Sequence, residues 1–237
     1  MFLKLFQRKW AELWLRFGGV NPTGRIAYRI ASWTAPPYKA RGYLAYLHPR
    51  GYISPNALIH HNNLDFDEHV FIGDRVVIYQ ANKGGPVKIG KGSKIHLDTI
   101  IETGDGGSLI IGSDTHIQPR CQFSAYMGSI KIGAGVQIAP YCAFYPYHHG
   151  FAPENPIKGQ PLYTMGGIVI GDDAWLGIGV IVMDNVRIGK SAVIGAGAVV
   201  TRDIPDDAIA AGVPARILRT RSEKDHNKET NESGGSG

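Results

Sequence analysis

Two of the nine histidines in this 237-residue chain, His148 and His149, stand side by side in 144-FYPYHHGF-151, just behind Phe144, Tyr145 and Tyr147. Histidine ordinarily titrates near ~6.5, so it can take a proton from a hydroxyl and return it to a leaving group near neutral pH. The pair opens a Pro- and Gly-rich stretch, 150-GFAPENPIKGQPLYTMGG-167. A long loop between regular elements usually carries function; its rival role is to pad a subunit contact. Metal chemistry is not expected. The two cysteines, Cys121 and Cys142, make neither a disulfide framework nor a Cys/His zinc spacing, and they suit a reducing, cytoplasmic setting.

The elements that would position the histidines announce themselves by a period of six. An aliphatic or aromatic residue recurs at Ile170, Leu176, Val182, Ile188, Ile194 and Val200. Shorter runs precede it: Ile53 and Ile59; Ile72 and Ile78; Ile89, Ile95 and Ile101; Ile111, Ile117 and Phe123; Ile132, Ile138 and Phe144. Six fits neither an α-helix nor a simple amphipathic strand. It fits a chain that turns a corner after each short strand, three strands closing a triangular coil whose apolar residues point inward and stack ~4.8 Å apart. Cys121 and Cys142 each follow an inward residue by four places and lie one coil apart, so they should stack as reduced core thiols. The runs break at 104-GDGG-107, between Phe123 and Ile132, and most widely between Phe144 and Ile170.

Both ends depart from the repeat. Residues 1–52 carry nine Lys/Arg and one acidic residue, whereas residues 53–220 carry thirteen and fifteen. The basic character therefore belongs to the N-terminal segment, and a nucleic-acid groove, which would spread its cations over the folded surface, is not expected. Leu3, Phe6, Trp10, Leu13, Trp14 and Phe17 follow helical spacing, with Lys4, Arg8, Glu12 and Arg16 as a polar stripe. A helix over 2–17 could cap the open end of the coil or lie on a membrane surface. The segment 1–52 is thus expected to be a basic helical cap, 53–205 the coil domain with its loop 150–167, 206–220 a C-terminal extension, and 221–237 a disordered tail. No apolar run reaches the ~20 residues of a membrane span, and no signal peptide is expected.

The stretches 170-IGDDAWLGIGVIVMDNVRIGKSAVIGAGAVVTRDIP-205 and 210-AAGVPARILR-219 resemble the hexapeptide-repeat acyltransferases, most of all the sugar and polysaccharide O-acetyltransferases. The resemblance implies a left-handed parallel β-helix, a homotrimer with active sites between subunits, acetyl-CoA as co-substrate with no metal, and a small-molecule or glycan acceptor. It implies a histidine general base nine positions after the Pro of an Ile-x-Pro coil. Counted from Pro140 that is His149, with His148 the alternate. Trp175 falls where the family places an aromatic beside the coenzyme arm, and Gly177, Ile178, Gly195 and Ala196 where its backbone approaches the pantetheine. Thr201, Arg202 and Arg219 match positions that meet the nucleotide end, where two cations facing phosphates make physical sense. Gln122 takes the place of an Asn that often contacts the acceptor, Tyr147 is an acceptor-side candidate, and Glu154 could orient the histidine.

Three other readings compete. A γ-type carbonic anhydrase shares the solenoid but needs a His-x4-His pair, and no two histidines here are five apart. A non-catalytic scaffold is compatible with the repeat alone. Serine or amino-sugar acetyl transfer is the nearest enzymatic alternative; the chain lacks the large N-terminal helical domain of the serine enzymes.

Overall fold

The computed structural model describes residues 2–222, apart from the side chains of residues 2–4. Three parallel sheets wind into a β-helix of about seven coils, preceded by a helical segment. The six-residue period maps directly onto its faces. On the first face Ile53, Ile72, Ile95, Ile117, Ile138, Leu176, Ile194 and Ala210 stack in register. The second face stacks Ile59, Ile78, Ile101, Phe123, Phe144, Val182 and Val200. The third stacks Phe66, Ile89, Ile111, Ile132, Ile170 and Ile188, continued by a bridge to Ile204. Beyond the first coil almost all of these are fully buried, and each such side chain stabilises the fold by about 1.5–3 kcal/mol. Phe123 and Phe144 stack nearly parallel, with ring centroids 4.6 Å apart. Cys121 and Cys142 are free and buried as expected. The neighbouring Cys142 sulfur and burial together push the Cys121 thiol up.

Corners need residues that let coils approach. A Cβ on Gly177 would stand 2.7 Å from the Ala196 nitrogen of the next coil, closer than side chains tolerate, so this corner keeps glycine.

At the N-terminus, helix α1 (Phe2–Leu15) packs on helix α2 (Pro22–Ala31), and a 3-10 segment follows at Tyr38–Tyr46. Helix α1 stops two residues short of the expected Phe17. Asn21 caps α2 by accepting the Gly24 N–H at 2.8 Å, with Pro22 in the first turn, where its missing N–H costs nothing. A cap over the open end or a membrane-surface helix was expected; α2 and the 3-10 segment lie against the first strands of the first face, where they bury the outward rings of Tyr52 and Phe71. Tyr28, Tyr52, Phe71 and His96 form a continuous ring stack, with centroids 5.6–5.7 Å apart. Ile59, Leu64 and Phe66 of the first coil stay only half-buried.

The C-terminal boundary also moves. Ile204 does not end the coil: Ala208–Ala211 adds a further parallel strand to the first face, and Gly212 and Ala215 bond to Val199 on the second. Arg216–Thr220 then folds back antiparallel on 208–211. The expected extension 206–220 is therefore the last part of the solenoid. Arg221, expected to be disordered, donates its backbone N–H to Asp207 at 2.8 Å. The rest of the expected tail, from residue 223, lies outside the described residues.

Candidate active site

The loop leaves the second face after strand Ala143–Tyr145 and rejoins the third at Ile168–Ile170. Its base is a small hairpin in which His148 and His149 pair antiparallel with Tyr163 and Leu162. Alternation along the strand separates the two histidines. The His148 ring stacks on Tyr163 at 5.4 Å and sets Nε2 3.7 Å from a carboxylate oxygen of Asp184. That Nε2 is buried and has no hydrogen-bond partner. His149 is exposed. The crest, residues 151–159, is exposed throughout and is tied by Gln160, whose amide donates to the carbonyls of Ala152 and Asn155 at 2.9 and 2.8 Å. Glu154 sits on this crest.

Asp184 anchors the returning limb. Its side chain is fully buried and accepts the N–H groups of Met165 (2.6 Å), Gly167 (2.9 Å) and Asn185 (2.8 Å) and the hydroxyl of Thr164 (3.1 Å). Four donors satisfy a carboxylate that burial alone would make costly. Asp184 was missed in the sequence; the available signal was an acidic residue directly after an inward-pointing strand, in 182-VMDNV-186.

Beside the hairpin, the second face presents aromatic and polar side chains. The Tyr147 ring lies 5.8 Å from Tyr126 and 6.1 Å from Tyr145. Gln122 pairs in register between Ile100 and Ala143. Ser124 donates to Glu102 at 3.4 Å. The nearby Asp105 carboxylate raises the Tyr126 phenol above its usual range, and burial raises that of Tyr145. Both therefore keep their protons near neutral pH and can donate as well as accept hydrogen bonds. Tyr126, Tyr145, Glu102 and Ser124 join Gln122 and Tyr147 only through the strand register, which no short motif displays.

The expected coenzyme residues fall in three places. Trp175 faces outward on the first face, 54% exposed, in register with Gln137 and Val193. Gly177 and Ile178, then Gly195 and Ala196 one coil on, form the corner leading to the second face; Ile178 is exposed. Thr201 and Arg202 lie beyond the second face, in a groove of about 420 Å³ with Gly166, Gly167, Asn185, Arg187 and Asp203. Arg219 is on the folded-back strand beside Ile209. Trp175 thus belongs to the first face, and His149 to the hairpin that leaves the solenoid between the second and third faces. A more enclosed cavity of about 170 Å³ lies under the N-terminal segment, between Arg41, Tyr52, Phe71 and His96. It is lined by the first three coils, whereas the loop that carries His149 leaves the fifth strand of the second face. Among the described residues no group of three or more His, Cys, Asp or Glu gathers to hold a metal.

Known proteins resemble this chain in sequence and fold. Residues 167–202 match the family described as bacterial transferase hexapeptide (six repeats). The galactoside O-acetyltransferase of Escherichia coli (strain K12) is 38% identical over 81 residues, 34% of this chain and 37% of that protein. The match thus spans little more than a third of that relative. The solved polySia-specific acetyltransferase NeuO superposes with a TM-score of 0.59 at 26% identity, over 72% of this chain and 73% of its own. AntD, an N-acyltransferase from Bacillus cereus solved with dTDP and coenzyme A, superposes with a TM-score of 0.51 at 24% identity, over 64% of this chain and 83% of its own. This last likeness concerns the fold.

Proposed function

We propose that this hexapeptide-repeat chain is a CoA-dependent acyltransferase that moves acetyl from acetyl-CoA to a hydroxyl of a sugar or glycan precursor, with His149 as general base. The observation that carries the reading is an exposed histidine on a hairpin whose returning limb is pinned by a buried carboxylate, beside a face rich in tyrosine and amide groups. Resemblance to a galactoside O-acetyltransferase and to a polySia-specific acetyltransferase supports the sugar acceptor.

In the reaction His149 removes the hydroxyl proton as the acceptor oxygen attacks the thioester carbonyl. The C–O bond forms, the C–S bond breaks, and His149 returns the proton to the departing CoA sulfur. Gln122 and Tyr147, with Tyr126 and Tyr145, offer hydrogen bonds and ring faces to a sugar. The flat Gly177–Ile178 and Gly195–Ala196 corners suit the pantetheine arm. Thr201, Arg202 and Arg219 face the nucleotide and its phosphates. His148, stacked on Tyr163 and facing Asp184, holds the hairpin.

The separation of Trp175 from His149 within one chain supports a homotrimer in which neighbouring copies complete each site. So do the exposed loop residues Phe151 and Ile157, 73% and 60% accessible in the single chain.

Calorimetric titration of CoA, combined with CoA release in the presence of sugar acceptors, tests the reading. His149→Ala should bind CoA within about twofold of the parent while turnover drops ~10²–10⁴-fold. Arg202→Ala should weaken CoA binding. No CoA binding at millimolar ligand would sink the enzyme reading and leave a scaffold; unchanged turnover in His149→Ala would sink the assigned base.

A further inference from the structure

Helix α1 buries one stripe and leaves another open. Ala11 and Leu15 are fully buried and Trp10 and Trp14 half-buried, and the Trp10 indole donates to the Ile30 carbonyl at 3.0 Å. Along one flank Phe6, Trp10 and Trp14, continued by Phe17 in the turn after the helix, form a ladder of rings with successive centroids 6.4, 6.0 and 6.4 Å apart, its two middle rungs half-buried against the rest of the segment. The end rungs, Phe6 and Phe17, are each 64% exposed, and Leu5 and Leu13 beside them are 57% and 50% exposed. Such a run of exposed aromatic and aliphatic side chains on one helix marks a surface that meets something apolar.

The charges around it say what. Lys9 and Arg16 lie on the same open side and are exposed, as are Arg8 nearby and Arg29 on α2. Glu12 is the one acidic residue in the first 52 positions, and both Lys9 and Arg16 reach it, at 3.5 and 4.0 Å, so one negative charge is shared between two cations. Arg25 and Arg41 are occupied inward, Arg25 on the carbonyls of Pro55 and Ala57 and Arg41 on Asp74. The remaining outward charge is positive, on a helix with an apolar outer stripe and tryptophans at its margin. This combination fits the interface of a negatively charged bilayer, where rings settle at headgroup depth and Lys/Arg meet anionic lipid.

We propose that α1 is a peripheral membrane anchor that docks the N-terminal end of the solenoid on an anionic lipid surface, with Phe6, Leu13 and Phe17 inserted and Lys9 and Arg16 on the headgroups. The inference is independent of the catalytic reading. Helix α1 is joined to the first coils through α2 and the Tyr28–Tyr52 contact. The loop that carries His149 leaves the fifth strand of the second face, four strand spacings or roughly 19 Å farther along the axis.

The test is co-sedimentation of the full chain with vesicles of phosphatidylcholine alone and with about 30% phosphatidylglycerol, read with tryptophan emission; three of the four tryptophans, Trp10, Trp14 and Trp33, lie in this segment. The parent should partition into anionic vesicles with a blue shift, and far less into neutral ones. A Phe6→Ser/Leu13→Ser/Phe17→Ser variant should lose about tenfold or more of that partitioning, and Lys9→Gln/Arg16→Gln should lose the preference for anionic lipid. Circular dichroism and light scattering accompany each variant. Equal partitioning of the serine variant and the parent, or no binding of the parent to anionic vesicles, overturns the proposal. So does a fall in oligomeric mass in the serine variant, which would assign the stripe to a second copy of this chain.

Discussion

His96 lies buried against Phe71 at the edge of the N-terminal segment, and desolvation, aided by Lys39, His116 and Lys94, lowers its pKa to about 4. The unfolded chain binds this proton near 6.5 and the folded chain does not, so stability is full above that value and is lost as pH falls toward 4. The effect amounts to about 3 kcal/mol at most. His96→Gln should flatten the acid side of the profile, as read by urea unfolding at pH 7 and pH 4.5; parallel losses in parent and variant would refute it. Residues at this scale were unevenly legible. The His148–His149 pair stood out because it opens a long loop, and only the resemblance, counted from Pro140, chose His149. Asp184 did not, because its partners are backbone groups 17–19 positions earlier, at Met165 and Gly167, which only the coil brings near. The neutral role of His96 was invisible for a similar reason: its burial comes from a segment more than forty residues upstream.

Among the elements, the loop and its anchor form a unit distinct from the strands around them. Removing the Asp184 carboxylate leaves the buried Gly167 N–H unpaired, at about 1–3 kcal/mol, and frees the part-buried Met165 N–H and Thr164 hydroxyl. Asp184→Ala should therefore cost roughly 2–4 kcal/mol and speed limited proteolysis within 150–167, while the far-ultraviolet spectrum of the solenoid stays unchanged. Cleavage no faster than in the parent would show that the limb is held by other contacts. The strands themselves were largely legible, because each face is built from one inward residue per hexad. Phe66 escaped because it follows Ile59 by seven rather than six, and the last first-face strand escaped because its inward residue is the small Ala210. The flank position of α2 and the 3-10 segment could not be read either. Tyr52 and Phe71 sit at outward strand positions, where an aromatic residue is as compatible with solvent as with a covering helix.

At the scale of the whole molecule, the proposed inter-subunit site predicts a trimer. Light scattering should give three times the 25.8 kDa chain mass, and Phe151→Ser/Ile157→Ser should shift the population toward single chains; a monomeric parent would remove the inter-subunit site. The charge asymmetry and the repeat boundaries were visible in composition, whereas assembly depends on which outward residues stay uncovered, something periodicity does not encode. The coil spacing carries one more consequence. Parallel coils add length in fixed increments of ~4.8 Å without altering the chemistry at either end. The solenoid is in that sense a ruler graduated in coils: gaining or losing one whole coil between α1 and the hairpin resets the height of His149 above whatever α1 rests on, and leaves every contact at both ends as it was.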